Sequence, residues 1–196
     1  FYSKGLGLNA RTAVMAAVVV LVLAVVALLA NRAAKVKGRI CLFGKKHAVF
    51  PVRFNPTVLY VACTVLACCL IACLLLGAKS AFGVDIDSLA VKTALANAEG
   101  NGFKPPVFNA VKGNLSDKVN GKFNLVVANI VADIIMEFNT QVGEFLSDGG
   151  VYITGGIIEN REDEVLYSFA QNGFEIIERY ENNGWLVFAL KKANNC

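Results

Sequence analysis

Apolar residues in the C-terminal part of the chain follow two different spacings. Short continuous runs rich in Val, Ile and Phe predict buried strands, and apolar residues three or four positions apart predict helices with one buried face. Strands are predicted over 80–84, 107–111, 123–129, 151–154, 174–180 and 185–190. Helices are predicted over 88–98, 130–146 and 160–171. Because strands alternate with helices, the pattern predicts an α/β fold with a doubly wound, mostly parallel sheet.

Polar and glycine residues mark the ends of these elements. Gly100 is expected to end the first helix, and Asp-Gly-Gly at 148–150 predicts a turn before the strand at 151–154. Asn160, followed three residues later by Asp163, predicts a helix N-cap. Asn-Asn-Gly at 182–184 is typical of a hairpin turn, so the last two strands are expected to form an antiparallel edge of the sheet.

The helical spacing also predicts which side chains face the sheet. On the helix at 88–98 they are Leu89, Val91, Ala94, Leu95 and Ala98. On the helix at 130–146 they are Ile134, Ile135, Phe138, Val142 and Phe145. Each set covers one stripe of its helix and predicts packing on one side of the sheet.

The N-terminal part of the chain carries two long apolar runs without charge, at 13–30 and 57–78. Eighteen helical residues span about 27 Å, close to the roughly 30 Å of a bilayer core, so both runs are candidate transmembrane segments. The basic linker between them would then lie in the cytoplasm. For 13–30 the length favours a membrane helix, whereas 57–78 is equally compatible with a strand beginning near Pro56 and a buried core helix.

The charge distribution separates the same two parts of the chain. Residues 1–84 contain ten Lys or Arg and no Asp or Glu, whereas residues 85–196 contain nine Lys or Arg and fifteen acids. The parts therefore carry +10 and −6, which together give the net +4 of the chain. The basic linker could contact anionic lipid, but no interleaved aromatic residues support a direct nucleic-acid-binding module.

Two predicted strands end on polar side chains, Asp85 and Asn129. In doubly wound sheets, ligands bind at the carboxyl ends of parallel strands, which makes both residues candidates for a functional site. A structural role is the alternative for each of them. An acid can begin a helix, although Asp87 suits that role better than Asp85, and Asn129 could cap the helix that follows.

Cysteine and histidine residues give no sign of a metal site. Four cysteines lie in the second apolar run, at Cys63, Cys68, Cys69 and Cys73, and no Cys-x-x-Cys unit is present among them. They are therefore expected to be reduced, buried thiols. His47 is the only histidine of the chain, and we interpret it as a residue of the basic linker.

Several motifs in the C-terminal part occur together in one known family. They are Gly-Val-Asp-Ile-Asp-Ser-Leu-Ala-Val at 83–91, Asn-Ala-Glu at 97–99 with Asn-Gly at 101–102, Val-Val-Ala-Asn-Ile-Val-Ala-Asp at 126–133, Gly-Gly at 149–150, Gly-Gly-Ile-Ile at 155–158 and Gly-Trp at 184–185. Over about 70–192 the chain resembles the bacterial methyltransferases that modify protein eleven of the large ribosomal subunit.

This resemblance implies a class I methyltransferase with a Rossmann-like sheet and S-adenosylmethionine as its cofactor. It implies that Asp85, Ile86 and Asn114 bind the cofactor and that Asn129 acts at the reacting centre, with no metal. The substrate is expected to be an amino group of a ribosomal protein, and the location cytoplasmic. The implied organisation is a basic, apolar region at 1–56 followed by a methyltransferase-like domain at 57–192.

The chain departs from the family at the principal cofactor loop. Where the family has Asp-Val-Gly-Cys-Gly-Ser-Gly, this chain has Tyr-Val-Ala-Cys-Thr-Val-Leu-Ala at 60–67. Side chains there would fill space that glycine leaves to a ligand. The alternatives are therefore an inactive methyltransferase fold tethered to a membrane by 13–30 and 57–78, and a nicotinamide-dependent enzyme in which Asp85 binds the ribose.

Overall fold

A computed structural model describes residues 39–43, 70, 71, 73–75 and 77–193. Its strands are β1 (Arg39–Phe43), β2 (Ser80–Asp85), β3 (Phe108–Lys112), β4 (Phe123–Asn129), β5 (Leu146–Ile158), β6 (Phe174–Asn182) and β7 (Trp185–Lys192). Its fully bounded helices are α1 (Ser88–Gly100), α2 (Ala132–Val142) and α3 (Glu162–Gln171). Short 3-10 turns at Gly143–Phe145 and Glu159–Arg161 follow α2 and precede α3.

All seven described strands form one sheet in the order β3-β2-β1-β4-β5-β7-β6. The first five strands in this order pair in parallel, and β7 pairs antiparallel with both β5 and β6. The predicted doubly wound, mostly parallel sheet with an antiparallel hairpin is therefore confirmed. The strands β2 and β3 lie on one side of β1, and β4 and β5 lie on its other side. The connections that follow β1 and β4 therefore run in opposite directions, which leaves a crevice at the carboxyl ends of these two strands.

One side of the sheet packs against α1 and a helical segment formed by residues 70, 71 and 73–75. Leu70 and Cys73 in that segment are each 1% exposed, and they belong to the same cluster as Ala81 and Val127 of the sheet. Burial raises the pKa of the Cys73 thiol to about 12, so the thiol is neutral near pH 7. A reduced, buried Cys73 is thus confirmed; Cys63, Cys68 and Cys69 lie outside the described residues.

The other side of the sheet packs against α2 and α3 through aromatic residues. Phe169 and Phe188 meet edge to face with ring centroids 5.5 Å apart. The Tyr152 hydroxyl donates to Asn139 Oδ1 over 3.3 Å, and Asn139 Nδ2 donates to Ser168 Oγ over 2.8 Å. Burial raises the pKa of Tyr152, so this hydroxyl stays protonated and serves as a donor inside the core.

Both helix stripes largely face the sheet as predicted, but one position was wrong. Ala98 is buried and Val91, Ala94 and Leu95 pack against the core, whereas the Leu89 side chain is 60% exposed. Ala90 is buried instead. Leu89 lies in the first turn of α1, only four residues after the end of β2 at Asp85, and its side chain does not reach the core.

Three predicted boundaries also change. The second helix begins at Ala132 rather than 130, because Ile130 is still bonded to β5, and it gives way to the 3-10 turn after Val142. The predicted turn at 148–150 lies inside β5, where the register shifts between the pairs Phe123–Leu146 and Leu125–Val151. The N-cap position of α3 is Arg161, without a side-chain cap, so Asn160 does not cap it.

The centre of the sheet is a strand that the periodicity did not predict. β1 lies between β2 and β4, upstream of residue 57, where sequence alone places the start of the domain. The strand expected near Pro56, the apolar run at 13–30 and His47 lie outside the described residues. Within the part of the chain that the structure describes, no helix is long and apolar enough to cross a membrane, so the transmembrane prediction gains no support.

Candidate active site

Asp85 and Asn129 lie in one row across the end of the sheet. Val84 of β2 and Ala128 of β4 both pair with Phe43 of β1, so Asp85 and Asn129 each follow that row by one residue. With neighbouring strands about 4.8 Å apart, the two backbones are roughly 10 Å apart on either side of β1. Residues two apart on a strand share a face, and Gly83 and Val127 both contact the cluster beneath α1. Both side chains therefore leave the same face of the sheet at the crevice.

The Asp85 carboxylate is held by the backbone that follows it. Its Oδ1 accepts a hydrogen bond of 2.8 Å from the Asp87 backbone N–H. Asp87 is the residue that caps α1, since its own Oδ1 accepts from Leu89 N over 2.8 Å. The helix-capping role thus belongs to Asp87, as expected, and Asp85 keeps its half-exposed position at the strand end, with Ile86 beside it.

Asn114 lies in the loop that follows β3, next to the end of β2. The preceding Gly113 donates its N–H to the Asp85 carbonyl over 3.0 Å, which ties this loop to the Asp85 end of the sheet. Asn114 is exposed, and its carbonyl accepts from Asp117 N over 3.1 Å. Leu115, buried and with a φ of 46°, directs the chain back into the core. The loop therefore places Asn114 beside Asp85.

Asn129 ends β4 where the chain is bonded to the end of β5. The Ile130 N–H donates to the Gly155 carbonyl over 3.1 Å. Asn129 does not cap α2, because the N-cap position is Val131, which makes no side-chain cap. The structural alternative for Asn129 is therefore wrong. Its half-buried amide lies at the crevice instead.

The sequence alone indicated no role for Gly156, which follows the register partner of Asn129 and lies close to the Asn129 side chain. Gly156 has a φ of +80°, and a Cβ built on it would lie 2.8 Å from the Ile130 carbonyl oxygen and 3.1 Å from Asn129 Oδ1. The paired glycines at 155–156 were part of the resemblance, and glycines at the carboxyl end of a predicted strand are a usable signal of close backbone approach.

Arg161 connects the segments that follow β4 and β5. Its guanidinium donates to Asp133 Oδ1 over 2.6 Å and to Glu164 Oε1 over 2.9 Å. Both carboxylates raise the pKa of Arg161, which stays cationic. Arg161 therefore links the start of α3 to the first turn of α2.

Within the described residues, no group of three or more His, Cys, Asp or Glu side chains is placed to hold a metal ion. The polar atoms at the crevice are carboxylate, amide and carbonyl groups. Such groups can accept hydrogen bonds from ligand hydroxyls and amines. The arrangement suits binding and orientation of a polar ligand.

Comparison with known proteins identifies the family of this chain. The family model for ribosomal protein L11 methyltransferase (PrmA) matches residues 55–193. A ribosomal protein L11 methyltransferase of Desulforamulus reducens is 42% identical over 113 residues, covering 58% of this chain and 36% of the relative. One of Dictyoglomus thermophilum is 41% identical over 116 residues, covering 59% and 38%. The matched segment thus spans little more than a third of these relatives.

Solved structures agree with this match. The ribosomal protein L11 methylase of Lactobacillus delbrueckii subsp. bulgaricus superimposes with a TM-score of 0.67 at 27% identity, covering 86% of this chain and 78% of that one. SMU.776, solved in complex with SAH, shares the fold with a TM-score of 0.57 at 12% identity, covering 79% of this chain and 45% of that one. Since the family model covers well over half of the sequence, the chain belongs to the ribosomal protein L11 methyltransferase family.

Proposed function

We propose that this chain binds S-adenosylmethionine in the crevice and directs its methyl group to an amino group of a ribosomal protein. One observation supports this most strongly: Asp85 and Asn129 share a row and a face on either side of β1 in a member of this family. Because the relatives are named ribosomal protein L11 methyltransferases, L11 is the substrate that we propose, and the cytoplasm is the expected location.

The residues at the Asp85 end fit such a cofactor. A carboxylate can accept hydrogen bonds from two neighbouring ribose hydroxyls, and the Asp87 N–H already orients that of Asp85. The Asn114 side-chain oxygen can accept from the adenine amino group, and Ile86 offers an apolar side chain next to Asp85. When bound, the cofactor supplies an electrophilic methyl group on a positively charged sulfur. Residues 60–67, where the resemblance locates the cofactor loop, lie outside the described residues.

The residues at the Asn129 end suit an acceptor amine. A lysine amine has an ordinary pKa of about 10.4, so it must lose a proton before its lone pair can attack. Asn129 Oδ1 and the Ile130 carbonyl can accept the remaining amine hydrogens and thereby orient the lone pair toward the crevice. An amide does not titrate in this range, so the role of Asn129 is orientation and not proton removal.

Calorimetry with S-adenosylmethionine and with S-adenosylhomocysteine tests the binding step. Hydrogen bonds to charged groups contribute about 1.5–3 kcal/mol each, so Asp85→Asn is expected to weaken binding about tenfold or more. Asp148→Asn removes the same charge near the start of β5, at the opposite end of the sheet, and is expected to bind like wild type. Absence of binding by the wild-type chain at millimolar cofactor would overturn the proposal.

Transfer is tested by incubating the chain with radiolabelled cofactor and isolated ribosomal protein L11. Label is expected on amino groups of the protein, located by peptide mapping. If label were found only on carboxylates or on RNA, the proposed substrate class would be wrong. Among the described residues no helix supports the membrane-tethered alternative. The family match favours methyl transfer over the nicotinamide-dependent alternative, which Asp85 alone does not distinguish.

A further inference from the structure

Gly156 approaches the two oxygen atoms to which the proposed function assigns the acceptor amine. A Cβ at this position would lie 2.8 Å from the Ile130 carbonyl oxygen and 3.1 Å from Asn129 Oδ1. Protein Cβ atoms essentially never approach a neighbour closer than 3.0 Å, so one added methyl group would have to displace the carbonyl and crowd the amide. Both acceptors can therefore keep their present positions only because residue 156 has no side chain.

The surroundings leave little freedom to absorb such a displacement. Ile130 is 2% exposed, and its N–H is bonded to the Gly155 carbonyl over 3.1 Å. Gly156 itself has a φ of +80°, a conformation that side chains disfavour. Relief must therefore come from the half-buried Asn129 amide or from a shift of the Ile130–Val131 peptide, and either movement changes where an amine would be held.

We propose that Gly156 is a positioning residue for methyl transfer, which acts by setting the places of Asn129 Oδ1 and the Ile130 carbonyl. This inference rests on the proposed function. Methyl transfer needs the amine lone pair aligned with the methyl group, and a misplacement of about 1 Å can lower a rate about 100-fold. Cofactor binding, which the proposal assigns to the Asp85 end about 10 Å away, should not depend on residue 156.

The test compares Gly156→Ala with Gly149→Ala. Gly149 lies in the same strand with a φ of +67° and has nothing within 4 Å of its position for a Cβ, so its replacement introduces similar backbone strain without the contact. Gly156→Ala is expected to lower kcat about 10- to 100-fold with cofactor affinity within about twofold of wild type. Gly149→Ala is expected to keep wild-type kcat. Equal kcat for the two variants, or a loss in Gly156→Ala that follows lost cofactor binding, would overturn the inference.

Two further measurements separate positioning from general damage. In an Asn129→Ala background, Gly156→Ala should lower kcat by a smaller factor than in wild type, because one of the two acceptors that it displaces is already gone. Independently of activity, the side-chain amide resonances of Asn129, assigned by their loss in Asn129→Ala, should shift in Gly156→Ala and stay in place in Gly149→Ala. Unshifted Asn129 resonances in Gly156→Ala would refute the inference even if the wild-type chain transferred no methyl group, a result that would by itself refute only the proposed function.

Discussion

The two ends of the candidate site are held in different ways. At the β2 end, the Asp85 carboxylate is oriented by the N–H of Asp87, two residues further along the same chain segment. At the β4 end, the surroundings of Asn129 come from another strand, through Gly155 and Gly156 of β5. A local hydrogen bond thus orients the Asp85 carboxylate, whereas strand pairing between distant segments sets the surroundings of the Asn129 amide.

This difference separates binding from chemistry. A hydrogen bond between residues two apart survives small movements of the sheet, so the orientation of the Asp85 carboxylate relative to its own segment should tolerate changes in strand packing. The Asn129 end depends on the register of β4 and β5, where Asn129 is opposite Gly155. The rate of methyl transfer is far more sensitive to small displacements than cofactor affinity is. The residue assigned to the reacting amine is accordingly the one whose surroundings are set by strand register.

The largest expected effect comes from removing the Asn129 amide. Asn129→Ala should lower kcat about 100-fold, because the amine loses an acceptor that orients it, while cofactor affinity stays within about twofold. Asn160→Ala serves as a control, since Asn160 is an exposed asparagine in the 3-10 turn after β5. Steady-state kinetics together with calorimetry would check both variants. A comparable loss of cofactor affinity in Asn129→Ala would erase the distinction between the two ends.

The next largest expected effect is a loss of stability when the cap of α1 is removed. Asp87→Ala removes the side chain that caps α1 and should lower the free energy of unfolding by about 1 kcal/mol. Asn160→Ala should change it by less than about 0.5 kcal/mol, since Asn160 caps no helix. Urea unfolding followed by circular dichroism measures both. An equal effect of the two variants would contradict the capping assignment.

A substitution of Thr154 in β5 tests whether the environment of Asn129 depends on other side chains of this strand or only on its glycines. Its side chain is fully buried, and its hydroxyl finds no hydrogen-bond partner among the described residues. Because an unpaired buried hydroxyl is unfavourable, Thr154→Val should raise the free energy of unfolding by about 0.5–1 kcal/mol and leave kcat within about twofold. Thermal unfolding and kinetics check this. A destabilised variant would mean that the hydroxyl is bonded in solution.

The smallest effect is expected away from both ends, where Glu162 of α3 meets Arg179 of β6 over 2.6 Å. The hydrogen bond from Arg179 lowers the pKa of Glu162 below its ordinary value of 4.5. A lowered folded-state pKa stabilises the protein above the unfolded-state pKa, and this contribution is lost as the pH falls through the folded-state pKa. Wild type should therefore melt slightly above Glu162→Gln at pH 7, and this difference should shrink as the pH falls through the folded-state pKa of Glu162.

The same substitution in Arg179→Gln chains separates this small effect on the melting temperature from other pH-dependent effects. In Arg179→Gln chains, the change in melting temperature caused by Glu162→Gln should no longer depend on pH in this way, because the guanidinium that lowers the pKa is absent. A persistent pH dependence there would assign it to other groups on α3. Methyl transfer at pH 7 by Glu162→Gln should match wild type, since this pair contacts neither Asp85 nor Asn129.

The elements that could be predicted are those with strong local signals. β2 and β4 run as the apolar spacing indicates, and Asn183 and Gly184, with φ values of 52° and 77°, form the expected hairpin turn. The capping role of Asp87 also follows from its place before a helical stripe. Asp85 and Asn129 could be chosen because each ends an apolar run on a polar side chain. These signals involve residues close together in sequence.

The failures share a physical reason. β1 is five residues in a basic region and becomes a strand by pairing with β2 and β4 on both sides, which no local periodicity reveals. Leu89 has the spacing of a buried residue, yet its place at the very start of α1 leaves it exposed. The glycines at 149–150 have turn chemistry but lie in a bulge of β5, because the β4–β5 pairing shifts register there.

The sequence alone determined the alternation of strands and helices, the hairpin at the end of the sheet and the two polar strand ends. Each depends on side-chain spacing or on local backbone preference, which a linear chain already contains. Only the tertiary structure decided that β1 separates those ends, that they share a row and a face, and that Gly156 lies against Asn129. Such relations arise from strand register and close packing between segments far apart in sequence, where a shift of one residue would turn the side chains to the other face of the sheet.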